Sequence, residues 1–210
     1  MKILGLYNNQ CALELFQWLS SLDNEVVLCT ERILPQWCRD QNFDLTVSYT
    51  YRYILSDETI KALDNNVVNI HNALLPFNRG ADPNIWSIIE KTPRGVSLHY
   101  VNSELDKGYL IAQEIIDEND DETLSSSYYK LDRAAKEMFK KAFKYYEFWP
   151  MLKKQCLGRG SYHSLNDGLI VKQTIDSYEI SIDEFRKRLW GLKSGNDEHT
   201  LNSRGNNQIG

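Results

Sequence analysis

Short apolar runs punctuate the first third of the chain: MKILGLY (Met1–Tyr7), EVVLCT (Glu25–Thr30), Leu45–Ser48 and Val67–Ile70. Their length suits buried strands. The intervening segments read as helices: CALELFQWL, with Leu13, Phe16 and Trp18 on one face, then Leu34–Gln41 and Asp57–Leu63. Regular alternation of strand and helix predicts an α/β fold with a mostly parallel sheet flanked by helices.

Further along, Asp82 before Pro83 predicts a helix start for PNIWSIIE, the aspartate capping free amides and the proline occupying the first turn. GVSLHYV and GYLIAQEII read as two strands joined through NSELDK. From Thr123 to about Phe148, the three- and four-residue spacing of Leu131, Ala135, Met138, Ala142 and Tyr145 predicts a long helix ended by Pro150. SYHSLNDGLIVKQTI then predicts a hairpin turning at Asn166, Asp167 and Gly168. Ser181 and Glu184 have capping-box spacing for a short helix. These readings divide the chain into a main domain over 1–157, a hairpin and helix appendage over 158–193, and a flexible tail over 194–210 with few large apolar residues.

With 210 residues, 42% of them hydrophobic, the chain has material for one sizeable core. A formal net charge of -5, with its positive residues spread along the chain, argues against a nucleic-acid partner. The first apolar run is too short for a signal peptide and none later reaches membrane-spanning length, so a cytoplasmic protein without a membrane partner is expected. Cys11, Cys29, Cys38 and Cys156 lack paired spacing and read as reduced thiols. The acidic run Asp117–Glu122 reads as a solvated loop or helix N-terminus.

The candidate chemistry lies in VVNIHNALLPFNRGADPNIW, Val67–Trp86. Period-two alternation puts Asn69 and His71 on one face of a strand, near its C-terminal end, where open parallel sheets bind ligands. An amide donor beside an imidazole is a minimal kit for carbonyl chemistry. Taken alone, the pair reads first as a turn cap and a packed histidine. Its surroundings shift that balance: NIHNALLPFNRG, P-x-x-W at Pro83–Trp86, GVSLHYV and LDKGYLIAQ together resemble the catalytic domain of the 10-formyltetrahydrofolate-dependent formyltransferase family.

That resemblance implies a Rossmann-like domain and a catalytic triad of Asn69, His71 and Asp106, with Gly108 completing a D-x-G loop. It implies N10-formyltetrahydrofolate as formyl donor, no metal, and a reduced-folate pocket formed by Ser48, Tyr49, Arg52, Tyr53, Leu105, Lys107 and Gly108. NRGADPNIW and GSYHSLND are similar to segments of the sugar N-formyltransferase branch. The implied partner is a nucleotide-linked amino sugar, plausibly dTDP-4-amino-4,6-dideoxyglucose for a surface polysaccharide such as O-antigen, bound through Asn8, Asn78, Arg79 and Trp86. Arg79 would supply a planar fork for a diphosphate and Trp86 a stacking face; bracing of a loop and core packing are their plain alternatives. Another amine acceptor, formyl transfer to water, and a non-catalytic folate or nucleotide module remain open.

The other histidines read as structural or unassigned. His99 is a strand residue, and a metal site of His71, His99 and Asp106 lacks tight ligand spacing. His163 is ambiguous between packing and ligand contact, and His199 is solvated. A hairpin carrying Tyr162, Leu169, Ile170 and Val171 needs a partner surface, so a homodimer joined there is expected.

Overall fold

The computed structural model describes residues 1–191 apart from 120, 153, 156 and 157; Cys156 and the expected tail lie outside the described residues. Strands β1 (Lys2–Leu6), β2 (Glu25–Cys29), β3 (Leu45–Tyr49), β4 (Val67–His71), β6 (Gly95–Tyr100) and β7 (Leu110–Ile115) form one sheet in the order β2-β1-β3-β4-β6-β7. The first four are parallel, as strand–helix alternation requires; β6 and β7 run antiparallel to their neighbours. A separate two-residue strand, β5 (Arg79–Gly80), pairs in parallel with β8 (Tyr162–His163).

Helix α1 (Leu13–Ser20) buries Leu15, Phe16 and Leu19. The expected face of Leu13, Phe16 and Trp18 is therefore corrected by rotation about the helix, although Trp18 still packs edge-on against Phe139 and Phe143. Together with α5 (Leu124–Phe143), α1 covers one side of the sheet, enclosing Ile3, Val47, Tyr49, Val68, Ile70, Leu131, Ala135 and Met138. On the other side, α2 (Pro35–Gln41) and α3 (Asp57–Ala62) contribute Cys38 and Ile60 to a cluster with Leu4, Leu6 and Val67.

The long helix ends sooner than its periodicity suggests: α5 stops at Phe143 and Tyr145 is exposed. Pro150 does not terminate it. The proline sits in the first turn of the short helix α6 (Trp149–Leu152), where its missing N–H has no helical partner to lose.

The expected hairpin at 166–168 is a helix, α7 (Leu165–Gln173). Ser164 and Asp167 form a reciprocal capping box, and this local satisfaction of helix-end amides prevails over the turn signal in Asn-Asp-Gly. The appendage packs on its own chain: Val171, Ile182 and Phe185 join Ile85 and Ile88 of α4 (Pro83–Glu90) and Leu124 of α5 in a third apolar cluster. A last helix, α8, spans 182–191. Its entry bonds to the start of α5, through Leu124 N to Ile180 O at 3.1 Å and Ile182 N to Glu122 O at 2.9 Å. Of the apolar residues expected to seek a partner surface, Val171 is buried within this chain, while Tyr162 and Leu169 are exposed.

The acidic run, expected as a solvated loop or a helix N-terminus, ends at Glu122, which immediately precedes the Thr123 cap of α5 and is only 5% exposed. Arg94, equally buried, meets it at 2.8 Å, and Arg186 of α8 holds Glu118 through two hydrogen bonds of 2.7 and 2.9 Å. Burial raises the Glu122 pKa, but Lys130 and Arg94 outweigh it and hold the carboxyl below its ordinary range. Among the described residues, no helix is long and apolar enough to cross a membrane.

Candidate active site

Three polar residues stand side by side on one face of the sheet: Ser48 of β3, Asn69 of β4 and His99 of β6 are register partners. A second row, one pleat further along β4, contains His71, Ser97 and Gln113. Period two thus gathers two rows of hydrogen-bonding side chains at the C-terminal end of β4. Within the second row, Ser97 Oγ donates to Ala73 O at 2.7 Å and accepts from Leu75 N at 3.0 Å, while Gln113 Nε2 bonds Leu75 O at 2.9 Å. The chain leaving β4 is consequently fixed along its first residues.

Asp106 reaches this face from the β6–β7 loop. Its backbone is left-handed, with φ 51°, a conformation that aspartate tolerates better than most residues. Gly108, two residues on, lies against the Tyr100 carbonyl, where a Cβ would overlap the oxygen; this close approach gives the glycine of D-x-G its structural reason. The Asp106 side chain is 8% exposed and accepts a 2.8 Å hydrogen bond from Gly80 N. Its oxygens lie 3.9 Å from His71 Nδ1, 3.5 Å from His99 Nε2 and 3.5 Å from Asn69 Nδ2. Asn69, His71 and Asp106 therefore converge, with His99 as a fourth member.

The surrounding bonds orient each group. Ser48 Oγ donates to Asn69 Oδ1 at 2.9 Å, which turns the Asn69 NH2 toward His99 and Asp106. His71 Nε2 lies 2.9 Å from the Asn78 carbonyl, and His99 Nδ1 lies 2.8 Å from the Tyr100 carbonyl. A carbonyl only accepts, so each of these nitrogens carries hydrogen, and in each neutral ring the bare nitrogen faces Asp106. Burial pushes the Asp106 carboxyl up, but the positive charge that His71 and His99 carry in their imidazolium forms and the Gly80 amide outweigh it and hold the group well below the ordinary carboxylate range.

The remaining expected contacts hold varied positions on and around this face. Tyr49, one residue past Ser48, points to the opposite face, where its buried hydroxyl donates to Asp132 Oδ1 at 2.6 Å; alternation removes it from the Asn69 side. Arg52 is exposed, and the Arg32 guanidinium lies over the Tyr53 ring at 5.1 Å. Leu105 is 36% exposed beside Asp106, while Lys107 pairs with Glu104. Asn8 braces two loops, donating to Thr30 O at 2.8 Å and accepting from Arg52 N at 2.9 Å. Asn78 is fully buried. Arg79 Nε donates to Ser161 O at 3.3 Å.

One Trp86 face is taken by His163, stacked at 3.8 Å and 6° between planes; an expected ligand platform is thus half occupied from within. Asp82 makes no capping bond. Its backbone is left-handed and its carboxylate turns to Lys172 of α7 at 2.7 Å. His99, by its sequence an ordinary strand residue, stands beside Asn69 and Asp106. The usable signal was the polar alternation of Ser97 and His99, matching that of Asn69 and His71.

The Anoxybacillus kamchatkensis formyltransferase PseJ, solved with UDP-4,6-dideoxy-4-formamido-L-AltNAc and tetrahydrofolate, superposes with a TM-score of 0.77 at 28% identity, covering 88% of this chain and 97% of that one. A methionyl-tRNA formyltransferase from Fusobacterium nucleatum subsp. nucleatum is 34% identical over 143 residues, 68% of this chain and 43% of that relative. A formyltetrahydrofolate deformylase from Corynebacterium sp. (strain P-1) is 41% identical over 76 residues, 35% of this chain and 26% of that relative. The chain thus spans less than half the length of these two curated relatives. The family described as formyl transferase matches residues 29–143, a stretch that holds Asn69, His71, His99 and Asp106. By that match, the chain belongs to the formyl transferase family.

Proposed function

We propose that the protein transfers the formyl group of N10-formyltetrahydrofolate to the amine of a nucleotide-linked 4-amino-4,6-dideoxy sugar. The observation that carries this reading is the convergence of Asn69, His71 and Asp106 at the end of β4. The sugar class is supported by the ligand of the Anoxybacillus relative, which is formylated at that position. dTDP-4-amino-4,6-dideoxyglucose and a UDP-linked 4-amino sugar share the reacting amine, and both belong in the test.

The chain's residues supply three things. Asn69 has its amide oxygen tied to Ser48 and contributes an oriented NH2 donor for charge developing on a formyl oxygen. Because Nε2 of His71 is held by a carbonyl, a proton entering that ring does so at Nδ1, facing Asp106. Asp106 stays ionised and stabilises the resulting imidazolium.

The folate pocket of this reading lies between the loop after β3 and residues 105–108, with exposed Ile54 and Leu105 as apolar flanks for a flat ring. Among the described residues, no group of three or more histidine, cysteine, aspartate or glutamate side chains is placed to hold a metal ion.

A panel of amino-sugar nucleotides incubated with 10-formyltetrahydrofolate, read by tetrahydrofolate release and product mass, tests the proposal. A formylated 4-amino sugar is expected. Release of formate without any amine would instead favour transfer to water, the reaction named for the Corynebacterium relative.

A further inference from the structure

Residues 158–163 lie against the loop that holds the two catalytic candidates. Gly160 rests on the Pro76 carbonyl and Gly80 on the His163 carbonyl, each with no room for a Cβ. Between these contacts, Ser161 meets Asn78. Asn78 N donates to Ser161 Oγ at 2.9 Å, and Ser161 Oγ donates to Asn78 Oδ1 at 3.0 Å. Asn78 Nδ2 donates to Thr92 Oγ1 at 2.7 Å. The next amides along the loop bond the same segment, Arg79 N to Ser161 O at 3.0 Å and Ala81 N to His163 O at 2.8 Å.

The loop's other polar groups turn toward the site. The Asn78 carbonyl takes the His71 Nε2 hydrogen, and Gly80 N donates to Asp106. One short peptide stretch is therefore held from outside by β8 and its preceding serine, while from inside it sets both members of the imidazole–carboxylate pair. Asn78 has no free side-chain atom: it is 0% exposed, its amide oxygen and nitrogen are engaged, and its backbone is left-handed at φ 54°. A substrate cannot reach it. Its conformation is unfavourable for a non-glycine residue unless the surroundings hold it.

We propose that Asn78 and Ser161 are positioning residues of the formyl-transfer site: the Ser161 hydroxyl fixes the Asn78 peptide, whose carbonyl locks His71 in the Nε2–H tautomer with Nδ1 toward Asp106. This rests on the proposed function for its kinetic readout and on geometry alone for its spectroscopic one. The alternative is that Ser161 only glues the appendage to the main domain. The two differ in what they predict for the His71 ring.

The test is nitrogen NMR of the full chain labelled at histidine, with the His71 resonances assigned by comparison with His71→Gln, alongside steady-state kinetics of wild type, Ser161→Ala and Ser161→Thr. The wild type should show one His71 tautomer, hydrogen on Nε2. Ser161→Ala should give a mixture of tautomers and lower kcat about tenfold or more, with KM within about twofold, the pattern of a displaced acid–base group. Ser161→Thr, which keeps the hydroxyl, should restore both. An unchanged tautomer in Ser161→Ala overturns the proposal, as does a loss of kcat that threonine does not recover. Should Ser161→Ala not fold, Ser161→Cys keeps the shape and weakens the hydrogen bonds, and carries the same comparison. Absence of formyl transfer by the wild type with every amine would refute the proposed activity, while the tautomer would still decide the positioning role.

Discussion

His99 and Asn69 face each other across the antiparallel pair β4–β6, with the Asn69 amide nitrogen 3.3 Å from His99 Nε2. The other His99 nitrogen is spent on the carbonyl of the next residue, so the ring cannot turn away without losing that bond. His99 is thereby a fixed wall of the Asp106 site. His99→Ala should lower kcat by about ten- to a hundredfold with a small change in KM, the scale expected when a catalytic group is misplaced by a fraction of its reach. An unchanged kcat would return His99 to the status of a packed strand residue.

His71 should be more costly to lose, because its Nδ1 faces the ionised Asp106 carboxylate, whereas the corresponding nitrogen of His99 also meets the Asn69 amide at 3.3 Å. His71→Ala should reduce turnover by about a hundredfold or more, measured by tetrahydrofolate release. A rate within a few-fold of wild type would remove His71 from the chemistry.

Gly108 admits no side chain. Gly108→Ala places a methyl group on the Tyr100 carbonyl oxygen and must shift the loop that carries Asp106. The expected result is a destabilisation of about 1–3 kcal/mol in urea unfolding, together with lost activity. Normal activity in a stable variant would show that the loop tolerates the displacement.

The buried Arg94–Glu122 pair is expected to matter for stability rather than catalysis. Glu122→Gln leaves Arg94 buried beside a neutral amide and should cost about 3 kcal/mol or more near neutral pH. Since the Glu122 carboxyl is held below its usual 4.5, its ionised form contributes fully above that value and the contribution fades as pH falls through the lower folded value. The stability gap between wild type and variant, followed by urea unfolding, should therefore narrow below about pH 4.5. A gap that widened on acidification would contradict the sign.

Much of the sheet was legible because period two and strand–helix alternation are local properties of the chain. The same rule placed Asn69 and His71 on one face, while Asp106 and Gly108 entered only through the family resemblance of the D-x-G loop. Register was not legible: nothing in GVSLHYV states that His99 stands opposite Asn69 rather than one pair away. The 166–168 turn signal failed because Ser164 and Asp167 carry a competing local instruction, a helix cap, and two local preferences cannot be ranked without the packing of α7 on α4. Ser161 was invisible as a site residue because its meaning lies in a contact with Asn78, 83 positions earlier.

That separation has a consequence for how the protein is made. The sheet strands β1 to β4, and with them Asn69 and His71, are synthesised well before Ser161 emerges. At ordinary elongation rates the 83-position separation takes roughly 4–17 seconds to synthesise. Through that interval the nascent chain can assemble a hydrophobic core while the Asn78 peptide, and hence the His71 imidazole, lacks its external brace. Competence for chemistry is then a late event in the life of the polypeptide, separated in time from its collapse.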